Sequence, residues 1–257
     1  MIHSILSRLL KPHEEYISGT ADLTGLIDEK FGQHRFGISI GKKLDDCIVD
    51  GIENGPTLEY FHHYNQVNRE LTGVAEEFRE ELRKLEIDAI VIPPTINLGS
   101  KDYEKYLSTL TYGLSHKMVA TQAGLGWIGK TALFISKEFG PRLRLVSILV
   151  GQQPDTVSIP ITRSRCGKCT ICVERCPAQA ATGQLWNVQI HRDAFFNAAK
   201  CREKCGELAK KKLNVEERIC GLCVSVCPVG KKKKGLQVIP GEDGTMPADD
   251  NVDCSLA

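Results

Sequence analysis

The chain has 257 residues, 42% of them apolar, and carries 33 Lys and Arg against 32 Asp and Glu, a formal net charge of +1. That length and apolar content support a sizeable core and favour a main domain with a smaller one beside it. No apolar run nears the roughly 20 residues that cross a bilayer, and residues 1–10 lack the apolar stretch and cleavage site of a secretory signal. The expectation is a cytoplasmic, non-membrane protein with reduced thiols.

In chain order, Phe36 to Ile40 reads as a short strand. Phe61, Tyr64, Val67, Leu71, Val74, Phe78, Leu82 and Leu85 then recur at steps of three and four, which predicts one long amphipathic helix. His62 and His63 sit beside that stripe as surface or packing residues. Asp88 to Ile92 predicts a strand stopped by Pro93 and Pro94. Ser115 to Ala123 predicts a capped helix, and Ala132 to Ser136 and Leu143 to Val150 predict buried strands. The expected fold is α+β, a mixed sheet flanked by helices over 1–155. A cysteine-rich segment over 156–235 and a polar acidic tail over 236–257, with Glu242, Asp243, Asp249, Asp250 and Asp253, complete it.

Between the capped helix and the later strands lies a glycine run, Gly124 to Thr131, that satisfies both G-x-G-x-x-G and G-x4-G-K-[ST]. A phosphate loop must follow a buried strand so that its amides point at phosphate, whereas here a helix precedes it. No acidic residue stands where a ribose hydroxyl or Mg2+ would need one. The run instead predicts a close-packed turn, where glycine admits another backbone or a flat cofactor and Trp127 adds an apolar wall. Gly124, Gly126, Trp127, Gly129 and Lys130 are therefore candidate cofactor contacts. His116 and Lys117, just upstream, are candidate proton or charge donors.

Seven of the eleven cysteines fall in two runs. Cys166, Cys169, Cys172 and Cys176 with Pro177 read C-x2-C-x2-C-x3-C-P, and Cys220, Cys223 and Cys227 with Pro228 read as the same motif without its first thiol. This spacing gives three thiolates to one [4Fe-4S] cluster and the fourth to a neighbouring one. Structural zinc wants paired C-x2-C knuckles instead. Cys166, Cys169, Cys172 and Cys227 would hold one cluster, and Cys176, Cys220 and Cys223 the other. The missing position falls on Glu217, so the second cluster borrows a ligand, with Cys201 preferred over Cys205. Cys205, Cys47 and Cys254 are then free thiols. Residues 160–235 hold sixteen basic against six acidic residues, a formal +10, which leaves −9 elsewhere. The Lys231 to Lys234 run is either a solvated face or a contact for an acidic electron donor or a nucleic-acid backbone.

The run Ala123-Gly124-Leu125-Gly126-Trp127-Ile128-Gly129-Lys130, followed by strands and the two cysteine runs, resembles the epoxyqueuosine reductase family and its double-cluster relatives, akin to reductive dehalogenases. The resemblance covers about residues 110–230. It implies a nitroreductase-like, cobalamin-binding body joined to a ferredoxin-like domain with two [4Fe-4S] clusters, through which electrons reach cobalt to reduce a tRNA-borne epoxide. It also implies Cys201 as the ligand that completes the second cluster.

The reductases place an acid in an Asp-Ser/Thr-Gly-Pro segment shortly before the glycine run, where this chain reads Leu110-Thr111-Tyr112-Gly113-Leu114-Ser115. The family's helical-repeat region for tRNA has no counterpart after the clusters. The expected activity is thus an iron-sulfur reductase acting on a small-molecule or tRNA-borne substrate, fed by a ferredoxin- or flavodoxin-type partner. The alternative is an electron-transfer protein that reduces another protein's corrinoid or metal centre.

Overall fold

The computed structural model describes residues 1–10, 15–95 and 101–231. The acidic tail, Lys232 to Lys234 and Cys254 lie outside the described residues.

The body is built on a four-stranded sheet in the order β1-β2-β6-β3, from Tyr16–Asp22, Phe36–Lys43, Leu143–Val150 and Ala89–Ile92. All three pairings are antiparallel, so the expected mixed sheet is an antiparallel one. Alternation along the strands sends residues to opposite faces. Ile38, Ile40, Val146, Ile148 and Val150 enter one core, while Leu143, Leu145 and Leu149 enter cores on the other face.

The first face is covered by α1 (Ile2–Leu10) and by α3 (Leu58–Arg83), with the short α2 (Asp46–Asp50) before it. Thr57 caps α3 by accepting from the Tyr60 amide at 3.1 Å. Its buried positions, Tyr60, Val67, Asn68, Leu71, Ala75, Phe78 and Leu82, include Val67, Leu71, Phe78 and Leu82 of the predicted stripe, whose Phe61, Tyr64 and Val74 are half-buried. Leu85 is exposed because the helix ends at Arg83. The opposite face receives α5 (His116–Gln122) and a hairpin of β4 (Gly126–Ile128) and β5 (Phe134–Ser136), with α4 (Lys101–Thr109) before them in the chain.

The cysteine-bearing segment holds short helices α6 (Ile171–Glu174), α7 (Arg192–Phe195) and α9 (Leu222–Ser225) and the longer α8 (Ala198–Leu213). Ala209, Leu213, Ile219, Leu222 and Val224 from this segment belong to the same core as α1, α3 and the sheet. Arg142, with no exposed side-chain surface, adds a polar tie. It donates to Asp50 Oδ1 at 2.6 Å, Asp46 Oδ1 at 3.2 Å and the Ser225 carbonyl at 3.1 Å. No described helix is long and apolar enough to cross a membrane.

Candidate functional site

The glycine run forms the β4-β5 hairpin and the turn leading into it. A Cβ on Gly126 would stand 2.0 Å from the Ile135 carbonyl oxygen, so only glycine lets the two strands close. The hairpin places Trp127 and Lys130 against the first cysteine loop. The Trp127 indole N–H donates toward Cys166 Sγ at 3.4 Å, and buried Lys130 donates to the Cys169 carbonyl at 2.8 Å. A Cβ on Gly129 would lie 3.6 Å from Cys166 Sγ, and one on Gly124 would meet the Ile159 carbonyl at 2.8 Å. None of these five residues is among those lining the cavity described below. Their neighbours include backbone carbonyls, the Phe134 and Ile135 side chains and the loop that carries Cys166 and Cys169.

The ten described cysteines are all free, and apart from exposed Cys47 on α2 they sort into two groups. Burial pushes the Cys227 thiol up to about 12, and the neighbouring thiols that add to the shift are Cys172, Cys166 and Cys169. Cys223 is also raised, first by burial and then by Cys220, Cys201, Cys172 and Cys176. Cys205 lies between Cys201, whose sulfur is 3.9 Å away, and Cys220. Contact with Cys201 and Cys220 pushes its thiol up, while the same contacts lower Cys201 and bring Cys220 to about 7 against the effect of burial.

The chain thus places Cys227 beside Cys172, Cys166 and Cys169, and Cys176 with the second run at the cavity described below. Both Cys201 and Cys205, one turn apart on α8, face the second group. Among the described residues no three Cys, His, Asp or Glu converge on a point that would hold a single ion. A cubane fits thiols spread more widely, since its own iron and sulfide fill the middle.

The second group forms one wall of a cavity of about 960 Å³ whose lining includes Cys176, Cys201, Cys205, Cys220 and Cys223 but none of Cys166, Cys169, Cys172 and Cys227. The other walls are aromatic and basic. Tyr60 and Tyr64 come from α3, Tyr106 and Tyr112 stack at 4.6 Å, and the Arg144 guanidinium lies 4.0 Å over the Tyr64 ring. Arg144 is held by the Asn68 side-chain oxygen at 2.9 Å. Leu110, Thr111, Tyr112 and Ser115 reach the cavity, and its described lining contains no Asp or Glu.

His116 and Lys117 part company at this cavity. His116 does not line it, because one ring nitrogen meets Ser147 Oγ at 2.8 Å and the other the Pro93 carbonyl at 3.0 Å. Burial, with help from Arg144 and against the Pro93 carbonyl, lowers it to about 4, so it stays neutral near pH 7. Both ring nitrogens are thus engaged by Ser147 and the Pro93 carbonyl rather than turned to the cavity. Lys117 does line the cavity, with its amine bonded to the Ala132 carbonyl at 2.7 Å. Burial first, then Arg192, lowers its pKa to about 8, with Cys201 acting the other way. Sequence reasoning missed the four tyrosines and Arg144. An arginine inside the apolar run Leu143 to Val150 was the one signal that could have found them.

Residues 165–230 match a 4Fe-4S double cluster binding domain. The epoxyqueuosine reductase of Bacillus anthracis is 31% identical over 166 residues, 62% of this chain and 38% of that protein. The chain spans about a third of the length of the curated relatives it matches. Among solved structures, an epoxyqueuosine reductase with an epoxyqueuosine-modified tRNA-Tyr stem loop superposes with a TM-score of 0.55 at 15% identity, over 90% of this chain and 66% of that one. A catabolic reductive dehalogenase in complex with 3-bromo-4-hydroxybenzoic acid superposes at 0.61 and 14% identity, over 84% of this chain and 30% of that one. The chain thus has the α+β fold of these proteins, carries a double-cluster binding domain and resembles the epoxyqueuosine reductases.

Proposed function

We propose that the chain is an iron-sulfur reductase that holds two [4Fe-4S] clusters in residues 156–235 and takes a cobalamin and a reducible substrate in the adjoining cavity of a nitroreductase-like body, residues 1–155. Cys166, Cys169, Cys172 and Cys227 hold the outer cluster. Cys176, Cys220, Cys223 and Cys201 hold the inner one. The observation that carries the reading is that one cysteine group lines the cavity while the other does not. Bound there, the clusters supply one-electron transfer and the cobalamin a low-potential two-electron centre.

What the chain itself does follows from its side chains. Raised thiols such as Cys223 and Cys227 must lose their protons to bind iron, so burial makes cluster loading release protons. The tyrosines give the cavity broad apolar faces with hydroxyl tips, and a volume near the top of the usual ligand range suits a large planar occupant. Lys117, titrating near 8, holds a proton at the cavity wall. The substrate is a reducible group on a small molecule or on tRNA, the latter supported by the solved relative with a tRNA stem loop.

Anaerobic purification with iron and corrinoid analysis tests the proposal. The expected result is about eight irons per chain, the content of two cubanes, and a spectral shift when cobalamin is added. Zinc in place of iron would overturn it. Intact clusters with no corrinoid uptake would replace it with an electron-transfer or activator role.

A further inference from the structure

The loop around the outer cysteine group carries three exposed cations, Arg163, Arg165 and Lys168, none of which has a carboxylate partner among the described residues. Exposed Arg175, which donates to the Glu53 carbonyl, and Lys231 extend the basic set on the same segment. The one acid of the 163–175 stretch, Glu174, is bonded to the Thr170 hydroxyl. Charge of one sign beside half-exposed thiols is thus a feature of the outer group. That group is also the one that does not open onto the cavity.

From this we infer that the Arg163 to Lys168 loop is the docking surface for a small acidic protein that carries one electron. The inference rests on the cluster assignment proposed above. Only the inner group opens onto the cavity, so an electron bound for it passes from the outer group to the inner one, and the basic rim lies where a donor approaches the outer group. Positive charge there steers an acidic partner and raises its encounter rate by about ten- to a thousandfold. The donor is oxidised by one electron and the outer cluster is reduced by one. No bond forms or breaks and no proton moves. A nucleic acid whose modified base enters the cavity would meet the cavity rim, so the redox partner is the occupant this geometry favours.

The test uses the anaerobic, cluster-loaded chain with chemically reduced flavodoxin as probe. Arg163→Glu with Lys168→Glu is compared with wild type and with Arg69→Glu and Lys211→Glu, two exposed positions outside this loop. Flavodoxin affinity and the stopped-flow rate of cluster bleaching are read at low and high salt. The charge reversal is expected to cut the rate roughly tenfold or more at low salt and remove most of its salt dependence. The control pair, and reduction by photoreduced deazaflavin, a small uncharged reductant, should be unchanged.

Should the reversal impair cluster loading, Arg163→Gln with Lys168→Gln in loaded protein, and flavodoxin with amidated carboxylates against wild type, must each show the same loss. Equal rates for reversed and wild-type chains overturn the inference, as does a loss of tRNA binding with flavodoxin reduction intact, which would assign the surface to nucleic acid. Absence of iron would instead defeat the underlying cluster reading, and iron analysis separates the two failures.

Discussion

Replacing Arg142 by methionine should destabilise the whole chain, because this side chain is fully buried and joins α2 to α9. It would lose charge-assisted bonds to Asp50 at 2.6 Å and Asp46 at 3.2 Å, together with a bond to the Ser225 carbonyl at 3.1 Å. Such bonds contribute about 1.5–3 kcal/mol each. The two carboxylates keep 23% and 38% of their side-chain surface exposed, so water recovers part of the loss on their side. The Ser225 carbonyl oxygen loses this donor in a buried residue. The net cost is about 3 kcal/mol, at the lower edge of the range for breaking a buried pair. For a chain of this size that lowers Tm by about 6–12 °C, measured anaerobically at one fixed scan rate. Far-ultraviolet ellipticity and cluster absorbance should fall together, since Ser225 lies between Cys223 and Cys227. An unchanged or higher Tm would refute the reasoning and class Arg142 with those buried ion pairs that apolar side chains replace without loss.

Cys201→Ser should leave about four irons per chain and Cys205→Ser about eight, by iron analysis of anaerobic protein; the reverse result would make Cys205 the borrowed ligand. Trp127→Phe removes the N–H that points at Cys166 Sγ. Because a hydrogen bond to sulfur favours the reduced cluster, one cluster potential should fall and the other stay put in a redox titration followed by electron paramagnetic resonance. For Lys117, the folded pKa of about 8 lies below the free value of 10.5. Its burial therefore costs stability in full below pH 8, and the cost fades as pH rises from 8 toward 10.5. Lys117→Met should accordingly raise stability near pH 7 by about 1–3 kcal/mol, with the gap to wild type closing in alkali. A gap that does not vary with pH in thermal melts would show that the amine is not desolvated.

The elements that the sequence disclosed are those whose side chains report a period. Leu143 to Val150 is β6 to the residue, and the stripe from Phe61 to Leu82 is α3. Ser115 caps the helix that follows it, accepting from the Met118 amide. β1 was illegible because Tyr16–Asp22 has Gly19 at its centre and buries Thr20 beside Ala21, so no apolar alternation survives. The glycine run disclosed close approach but not what approaches. Backbone and flat ligand make the same demand on a missing Cβ, and here the Ile135 carbonyl occupies that space. The cysteine spacing records a three-dimensional constraint in sequence distance, and the fold sets Cys227 beside the first run and Cys176 on the cavity wall with the second. The cavity escaped, since Tyr60, Tyr112, Lys117 and Arg144 meet only through the tertiary fold. Nor does spacing distinguish Cys201 from Cys205, which one helical turn presents to the same neighbours.

The cysteine segment lends Ala209, Leu213, Ile219, Leu222 and Val224 to the interior shared with the sheet and α3. Maturation and folding are therefore a single commitment. A chain made when iron is scarce would leave that interior short of a flank, present it to chaperones and proteases, and be cleared before it could compete with loaded copies. The abundance of this protein should then track the iron supply of its cell.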